Sequence, residues 1–267
     1  MMELTDAQIA AWVGSFVWPL FRVASFLMVI PIVGTQLVPM RVRLGLAVLI
    51  TLVIAPLLPA VPQVDAFSFD AFYLTLQQIF IGSLFGFMFV IFMQVFVIAG
   101  QMIAMQMGLG FASMIDPSNG VSVAVLSQIY LIAVTLIFLA MNGHLVMIEV
   151  IIESFKAWPI AIKVLGVGGF GMDLLWEMIM RVSWLFVSAL LVSLPIVTAV
   201  LIVNLSFGIM TRAAPQMNVF SLGFPIGILF GLLIIWVSTS GLIPQFQKIS
   251  EQTFLFLRQI QEAGLNG

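Results

Sequence analysis

Residues 71–115 read AFYLTLQQIFIGSLFGFMFVIFMQVFVIAGQMIAMQMGLGFASMI and contain no charged side chain. A helix that crosses a membrane needs about 20 apolar residues, so this stretch is too long for one span. We therefore predict a helix from about Phe72 to Met107 that is kinked or broken near Gly100. The helix leads into a segment, Met105–Gly120, that does not have the composition of a membrane helix.

The composition of the whole chain indicates the same class. It is 63% hydrophobic and 7% charged with a mean hydropathy of +1.24, against roughly 45–50% apolar and 25% charged residues in soluble domains. We predict an all-α polytopic membrane protein. The net charge of −2 argues against a nucleic-acid partner, which would need a basic face. The absence of cysteine excludes disulfides, Fe–S clusters and thiol catalysis.

The apolar pattern predicts about six long hydrophobic helices with kinks and two amphipathic helices. The acidic start, Met1–Asp6, is unlike a cleaved signal peptide, so the first apolar stretch should remain as a span. The predicted spans are Ile9–Val38, Leu44–Ala60, Phe72–Met107, Val121–Met141, Val182–Val203 and Asn218–Ile243, and the amphipathic helices are His144–Trp158 and Gln245–Glu262.

We expect one membrane-embedded domain over residues 1–267. It would consist of N-terminal helices (1–143), a loop with an amphipathic helix (144–173) and a C-terminal helix pair (174–267). Short loops rich in Arg or Lys favour the cytoplasmic side. Arg41, Arg43 and Arg212 therefore predict an orientation with both termini outside.

The irregular segment Met105–Gly120 is the first candidate for a functional loop. Gly108 and Gly110 weaken a helix, and the order Asp-Pro-Ser-Asn-Gly at 116–120 is typical of a tight turn. Irregular backbone at membrane depth persists only where protein buries it or where it lines a cavity. The nearby methionines suit core packing as well as a deformable apolar seal, and composition alone leaves both open.

Other candidate residues have ordinary structural explanations beside functional ones. Arg22 lies well inside the first span, where a charge usually faces a partner, so a structural ion pair, a subunit contact or a transport site would each explain it. Glycines at 223, 227 and 231 repeat at intervals of four, which favours close helix packing. We find no catalytic set, cofactor motif or metal constellation, so an enzyme is not expected.

Several motifs resemble one family closely. They are Asn204-Leu-Ser-Phe-Gly208, the run from Arg212-Ala-Ala-Pro-Gln216 to Gly223-Phe-Pro225, Met105 to Pro117, Phe138 to Leu145, and Ser193-Leu-Pro195. Together with the length and helix order, these motifs resemble the FliR family of the flagellar export gate, which has relatives in the virulence injectisome.

The resemblance implies a non-enzymatic subunit without cofactor or metal, in the bacterial inner membrane at the flagellar basal body. One copy would join two smaller gate proteins, near further export-apparatus membrane proteins, with much helix mass raised toward the periplasm. The family's loop plugs the channel for unfolded substrates. The plug would comprise Met105, Met107, Gly108, Leu109, Gly110, Phe111, Met114, Asp116 and Pro117. The predicted partner and assembly contacts are Arg22, Arg212, Pro215, Gln216, Gly223, Phe224, Pro225, Gly227 and Gly231.

Three alternatives remain beside a flagellar gate subunit. The first is the corresponding subunit of an injectisome. The second, from another class, is a proton-coupled transporter of small solutes, which would usually carry an acid inside a span. The third is an inert assembly scaffold, which differs from a gate only in whether the loop lies on the pore axis.

Overall fold

A computed structural model describes residues 6–58, 62, 64, 68–109, 125–161, 172–213 and 219–266. These residues form eight α-helices and no strand, as the all-α prediction requires. The helices are α1 (Asp6–Val29), α2 (Met40–Ile54), α3 (Phe69–Gln106), α4 (Val125–Ala140), α5 (Gly143–Ala157), α6 (Met172–Ala213), α7 (Val219–Ser238) and α8 (Leu242–Asn266).

The first helix ends earlier than predicted. α1 stops at Val29, two residues before Pro31, whereas the predicted span continued to Val38. Proline cannot donate a helical hydrogen bond and disfavours a helical residue before it. The chain then turns, and the guanidinium of Arg43 donates to the carbonyl oxygens of Thr35 (2.6 Å) and Val38 (2.9 and 3.1 Å). Arg43 therefore fastens this turn from within the first turn of α2.

Helix α3 runs without interruption from Phe69 to Gln106, so the break predicted near Gly100 is wrong. Gly100 instead permits close packing against α4. A Cβ at this position would lie 2.9 Å from Ser127 Cα and 3.2 Å from the Leu126 carbonyl oxygen. The glycine reflects the approach of another helix, because intrahelical bonds and apolar packing outweigh its weak helix propensity.

The predicted stop after the fourth span and the amphipathic helix that follows are confirmed. Asn142 has a φ of 59°, the left-handed conformation common just after a helix. In α5, Met147 and Ile151 are buried, whereas Glu149 and Lys156 are exposed.

The C-terminal helices differ in length from the prediction. α6 has 42 residues and contains Pro195, so the predicted span Val182–Val203 covers only its centre. α7 ends at Ser238, and a 3-10 turn, Thr239–Gly241, leads into α8. By length and composition, the described residues contain four helices able to cross a membrane, or five if α4 and α5 form one bent span. The predicted number of six is therefore not confirmed.

The chain divides into two compact units. Unit 1 comprises residues 1–91, 142–180 and 252–267, and unit 2 comprises 92–141 and 181–251. In unit 1, the Phe26 and Phe89 rings meet edge to face at 6.0 Å. In unit 2, Phe92 packs against Phe246 at 5.4 Å and against Phe138 at 6.1 Å. Each unit thus has aromatic packing of its own, within the 4.5–7 Å range that favours ring pairs.

Candidate functional site

The described part of the predicted plug lies at the C-terminal end of α3, in unit 2. Met105, Met107, Gly108 and Leu109 are described, whereas Gly110, Phe111, Met114, Asp116 and Pro117 lie outside the described residues. The two methionines have opposite environments, because Met105 is 65% exposed and Met107 is 3% exposed. Met107 therefore anchors the end of the helix, and Met105 faces away from the packed part of this chain.

Gly108 terminates α3 in a Schellman motif. Its φ is 83°, in the left-handed region that glycine enters without a Cβ penalty. The Gly108 N–H donates to the Met105 carbonyl (3.0 Å), and the Leu109 N–H donates to the Ala104 carbonyl (2.9 Å). These are the two bonds that define the motif. Gly108 thus fixes the direction in which the chain leaves the helix.

The remaining carbonyl groups of the last turn also have donors. Ile103 O accepts from the Met107 N–H at 3.0 Å. Gln106 O accepts from Asn204 Nδ2, on α6, at 3.2 Å. The carbonyls of residues 103–106 are therefore all bonded to protein groups. A helix end normally relies on water for several of these bonds, whereas protein groups supply all four here, the one from Asn204 at the exposed surface of this chain.

Apolar packing surrounds the same helix end. A buried cluster joins α3 to α4 and α6, and partly buried side chains of α7 and α8 pack against it together with Leu109. The cluster consists of Ile103, Ala104, Met107, Leu126, Tyr130, Ile196 and Val200, with Leu109, Val197, Ile234, Ile235 and Leu242 against it.

The residues predicted as assembly contacts are not all at the surface. Gly227 and Gly231 are buried on α7: a Cβ on Gly227 would lie 3.3 Å from Asn204 Oδ1, and one on Gly231 would lie 2.5 Å from Met107 Cε. Arg212 is exposed in the last turn of α6, and Pro225 is exposed within α7. Gly223 and Phe224 lie within α7, and Pro215 and Gln216 fall outside the described residues. The two buried glycines thus make room for side chains of this chain.

Arg22 is fully buried in unit 1 and is bound by groups of the same chain. Its Nε donates to Gln78 Oε1 at 2.8 Å, and its Nη2 donates to the Trp158 carbonyl at 2.8 Å. Its Nη1 donates to the Ser154 carbonyl at 2.9 Å, and the guanidinium lies 4.2 Å from the Phe155 ring centre. Because Arg22 is 0% exposed in this chain, its side chain has no surface with which to contact another subunit directly.

None of these partners of Arg22 in the described structure is an acid. The carbonyls of Ser154 and Trp158 belong to the C-terminal end of α5, where the helix dipole carries partial negative charge. A cation and donor at this end is electrostatically favourable. The sequence did not reveal the interaction, because a backbone carbonyl more than 130 residues away carries no signal in the side-chain pattern.

No group of three or more His, Cys, Asp or Glu side chains able to hold a metal occurs in the described ranges. The described contacts at the end of α3 are apolar packing and hydrogen bonds to backbone carbonyls.

Known proteins similar to this chain belong to one family. Residues 13–253 match the family described as "Bacterial export proteins, family 1". The chain is 35% identical to the flagellar biosynthetic protein FliR of Escherichia coli (strain K12) over 260 residues, 97% of each chain. It is 32% identical to the protein of the same name from Pectobacterium carotovorum subsp. carotovorum, again over 97% of each. The chain belongs to the FliR family of bacterial export proteins.

Family membership and the long apolar helices make the chain an inner-membrane component of the flagellar export apparatus. The similarity extends over almost the full length of these relatives, and the family match at residues 13–253 includes the end of α3.

Proposed function

We propose that the end of α3 and the residues that follow it form the plug of the flagellar export channel. The observation that carries the proposal is that the carbonyls of residues 103–106, at the end of α3, all accept hydrogen bonds from protein groups. A loop that closes a pore against ions must begin from a backbone that needs no water, since water at that point would open a leak. The end of α3 meets this condition within a single chain.

The side chains of the segment suit a closure that must open repeatedly. Burial of a Met or Phe side chain contributes about 1.5–3 kcal/mol, so a few seated side chains hold a pore shut and remain displaceable. Methionine adapts its shape through three rotatable bonds. Met105, which this chain leaves 65% exposed, is available to contact a passing substrate or a partner chain.

Helix length supports a setting within an assembly. α3 has 38 residues and α6 has 42, which correspond to about 57 and 63 Å at 1.5 Å per residue. The hydrocarbon core of a bilayer is only about 30 Å thick. We propose that two smaller export-gate proteins cover the excess apolar surface and that part of the helix mass lies toward the periplasm. Exposed apolar side chains along α6, such as Phe186, Leu191 and Ile202, would then be partner contacts.

The described acids argue against a proton-coupled transporter. Such a transporter usually needs an acid buried within its spans. No acid whose burial is described is buried; these are Asp70, Glu149, Glu153, Glu177, Glu251 and Glu262. The flagellar names of the relatives above also favour the flagellar machine over an injectisome.

The test is the ion leak of cells that produce the assembled gate. Deletion of residues 110–118, or their replacement by glycine, should make the membrane permeable to small ions because the apolar closure is lost. Membrane abundance and co-purification with the partner proteins serve as controls for assembly. A variant that assembles normally and does not leak would reject the plug.

A further inference from the structure

We infer that Gly231, Met107 and Asn204 form a latch that positions the plug by holding the end of α3 against α6 and α7. This inference rests on the proposed plug, and it assigns positioning roles to Gly231 and Asn204. All three residues belong to unit 2.

The first part of the latch is a fit between Met107 and Gly231. A Cβ on Gly231 would lie 2.5 Å from Met107 Cε, 2.7 Å from Cγ and 2.9 Å from Sδ. Only a hydrogen atom fits there, because a carbon needs about 3.5–4.0 Å from its neighbours. The Met107 side chain therefore occupies a notch that exists because residue 231 has no side chain. The contact involves Cγ near the backbone, so a rotation of the methyl end alone would not relieve a clash.

The second part is the bond from Asn204 to the last carbonyl of α3. Asn204 Nδ2 donates to Gln106 O at 3.2 Å, while its Oδ1 lies 3.3 Å from the place of a Cβ on Gly227. Asn204 thus lies between the end of α3 and α7. Gly227 and Gly231 are one helical turn apart on the same face, and they make room for Asn204 and Met107 respectively. Gly227 and Gly231 of the glycine repeat are therefore explained by contacts within this chain.

The latch acts on Met107, one of the first residues of the plug. Met107 is the residue that precedes the Schellman glycine, so a shift of Met107 also moves the point at which the chain leaves α3. A side chain seated in the notch therefore sets the position of the chain where it leaves α3. Gly231 and Asn204 position the plug without belonging to it.

The decisive variant is Gly231→Ala, studied in the complete gate in membranes. The added methyl group expels Met107, so we expect the ion leak to rise about tenfold at unchanged abundance, a change equivalent to about 1.4 kcal/mol. Gly241→Ala, in the 3-10 turn Thr239–Gly241, is the matched control, since a Cβ there has nothing within 4 Å. It should leave the leak unchanged.

Two further variants separate positioning from a general loss of packing. Asn204→Asp keeps the shape of the side chain but removes the N–H donor to Gln106, and it should also raise the leak. In Gly231→Ala/Met107→Ala the new methyl group meets no methionine, so the double variant should leak less than the two single variants predict together.

A labelling experiment tests the latch independently of the leak. The chain has no cysteine, so Met107→Cys introduces its only thiol. Maleimide should label this thiol slowly when residue 231 is glycine, and at least about tenfold faster when Gly231→Ala is added. The cysteine sulfur takes the position of Met107 Cγ, which is only 2.7 Å from the new methyl carbon, so the clash remains and expels the thiol. Equal labelling rates would overturn the latch. If deletion of residues 110–118 leaks but Gly231→Ala and Asn204→Asp do not, the plug stands and its positioning by the latch is overturned. If labelling accelerates but the deletion does not leak, the contact is real and the plug function is rejected.

Discussion

The bond between Arg22 and Gln78 should show as a large coupling energy in unfolding experiments. The relevant changes are Arg22→Met, Gln78→Leu and their combination. Arg22→Met removes the donor for Gln78 Oε1 and for the Trp158 carbonyl, both in the buried interior of unit 1. Ser154 O keeps one donor, since the Trp158 N–H binds it at 2.9 Å.

The size of the coupling follows from this geometry. A stranded buried acceptor destabilises by about 1–3 kcal/mol, so loss of the donor to Gln78 Oε1 predicts a destabilisation of about 1–3 kcal/mol. Removal of a buried cation that has no acidic partner among the described residues offsets part of that loss. Arg22→Met removes the buried cation both in the single and in the double variant, so this offset cancels in the coupling energy. The coupling energy then reports the bond itself, because the double variant leaves neither Gln78 Oε1 nor Arg22 Nε unpaired. A hydrogen bond to a charged group predicts a coupling of about 1.5–3 kcal/mol.

The assay is unfolding of the purified protein in mixed micelles with increasing denaturant, followed by tryptophan fluorescence. Gln77 supplies the matched control, since it precedes Gln78 on α3 and is equally buried. Neither amide atom of Gln77 has a hydrogen-bond partner in the described structure. Gln77→Leu should be neutral or stabilising, and its coupling to Arg22→Met should stay within about 0.5 kcal/mol. Equal couplings for the two glutamines, or additive effects of Arg22→Met and Gln78→Leu, would refute the assignment.

Two further substitutions test the packing and the end of α3. Gly100→Ala should lower the melting temperature, because its methyl group meets Ser127 Cα at 2.9 Å. Gly45→Ala is the control and should leave the melting temperature unchanged, since a Cβ there has nothing within 4 Å. Equal effects of the two substitutions would contradict the close approach of α3 and α4. At Gly108, whose φ is 83°, stability should fall in the order Gly, Asn, Val, with Val about 1–2 kcal/mol below Gly. A fully tolerated Val would show that the Schellman conformation is not required.

Periodicity and composition were sufficient for the helical class and for the positions of most helices. The stop at Asn142 could be predicted because asparagine and glycine tolerate the left-handed conformation after a helix. Gly108 could be recognised as special for the same reason. Its exact role, termination of α3, depends on two backbone bonds that the sequence does not specify.

The errors came from features that depend on neighbouring helices. Gly100 resembles a helix breaker, but it is a contact point with α4. The glycine repeat predicted tight packing inside a bundle or a complex. Within this chain Gly227 and Gly231 accommodate Asn204 and Met107, and their role as assembly contacts stays a prediction. A glycine inside a helix indicates that a neighbouring group approaches the backbone closely, and only the folded structure shows which group that is.

The interaction of Arg22 also has a consequence for biosynthesis. Ser154 follows Arg22 by 132 residues, which takes roughly 7–26 s at a synthesis rate of 5–20 residues per second. During this interval the acceptors at the end of α5 do not yet exist, and an arginine in lipid is unfavourable. If α1 enters the bilayer first, we expect its guanidinium to stay near the polar surface of the bilayer, or beside the insertion machinery, until α5 emerges. The hydrogen bonds of Arg22 on α1 can therefore be completed only after α5 has been synthesised.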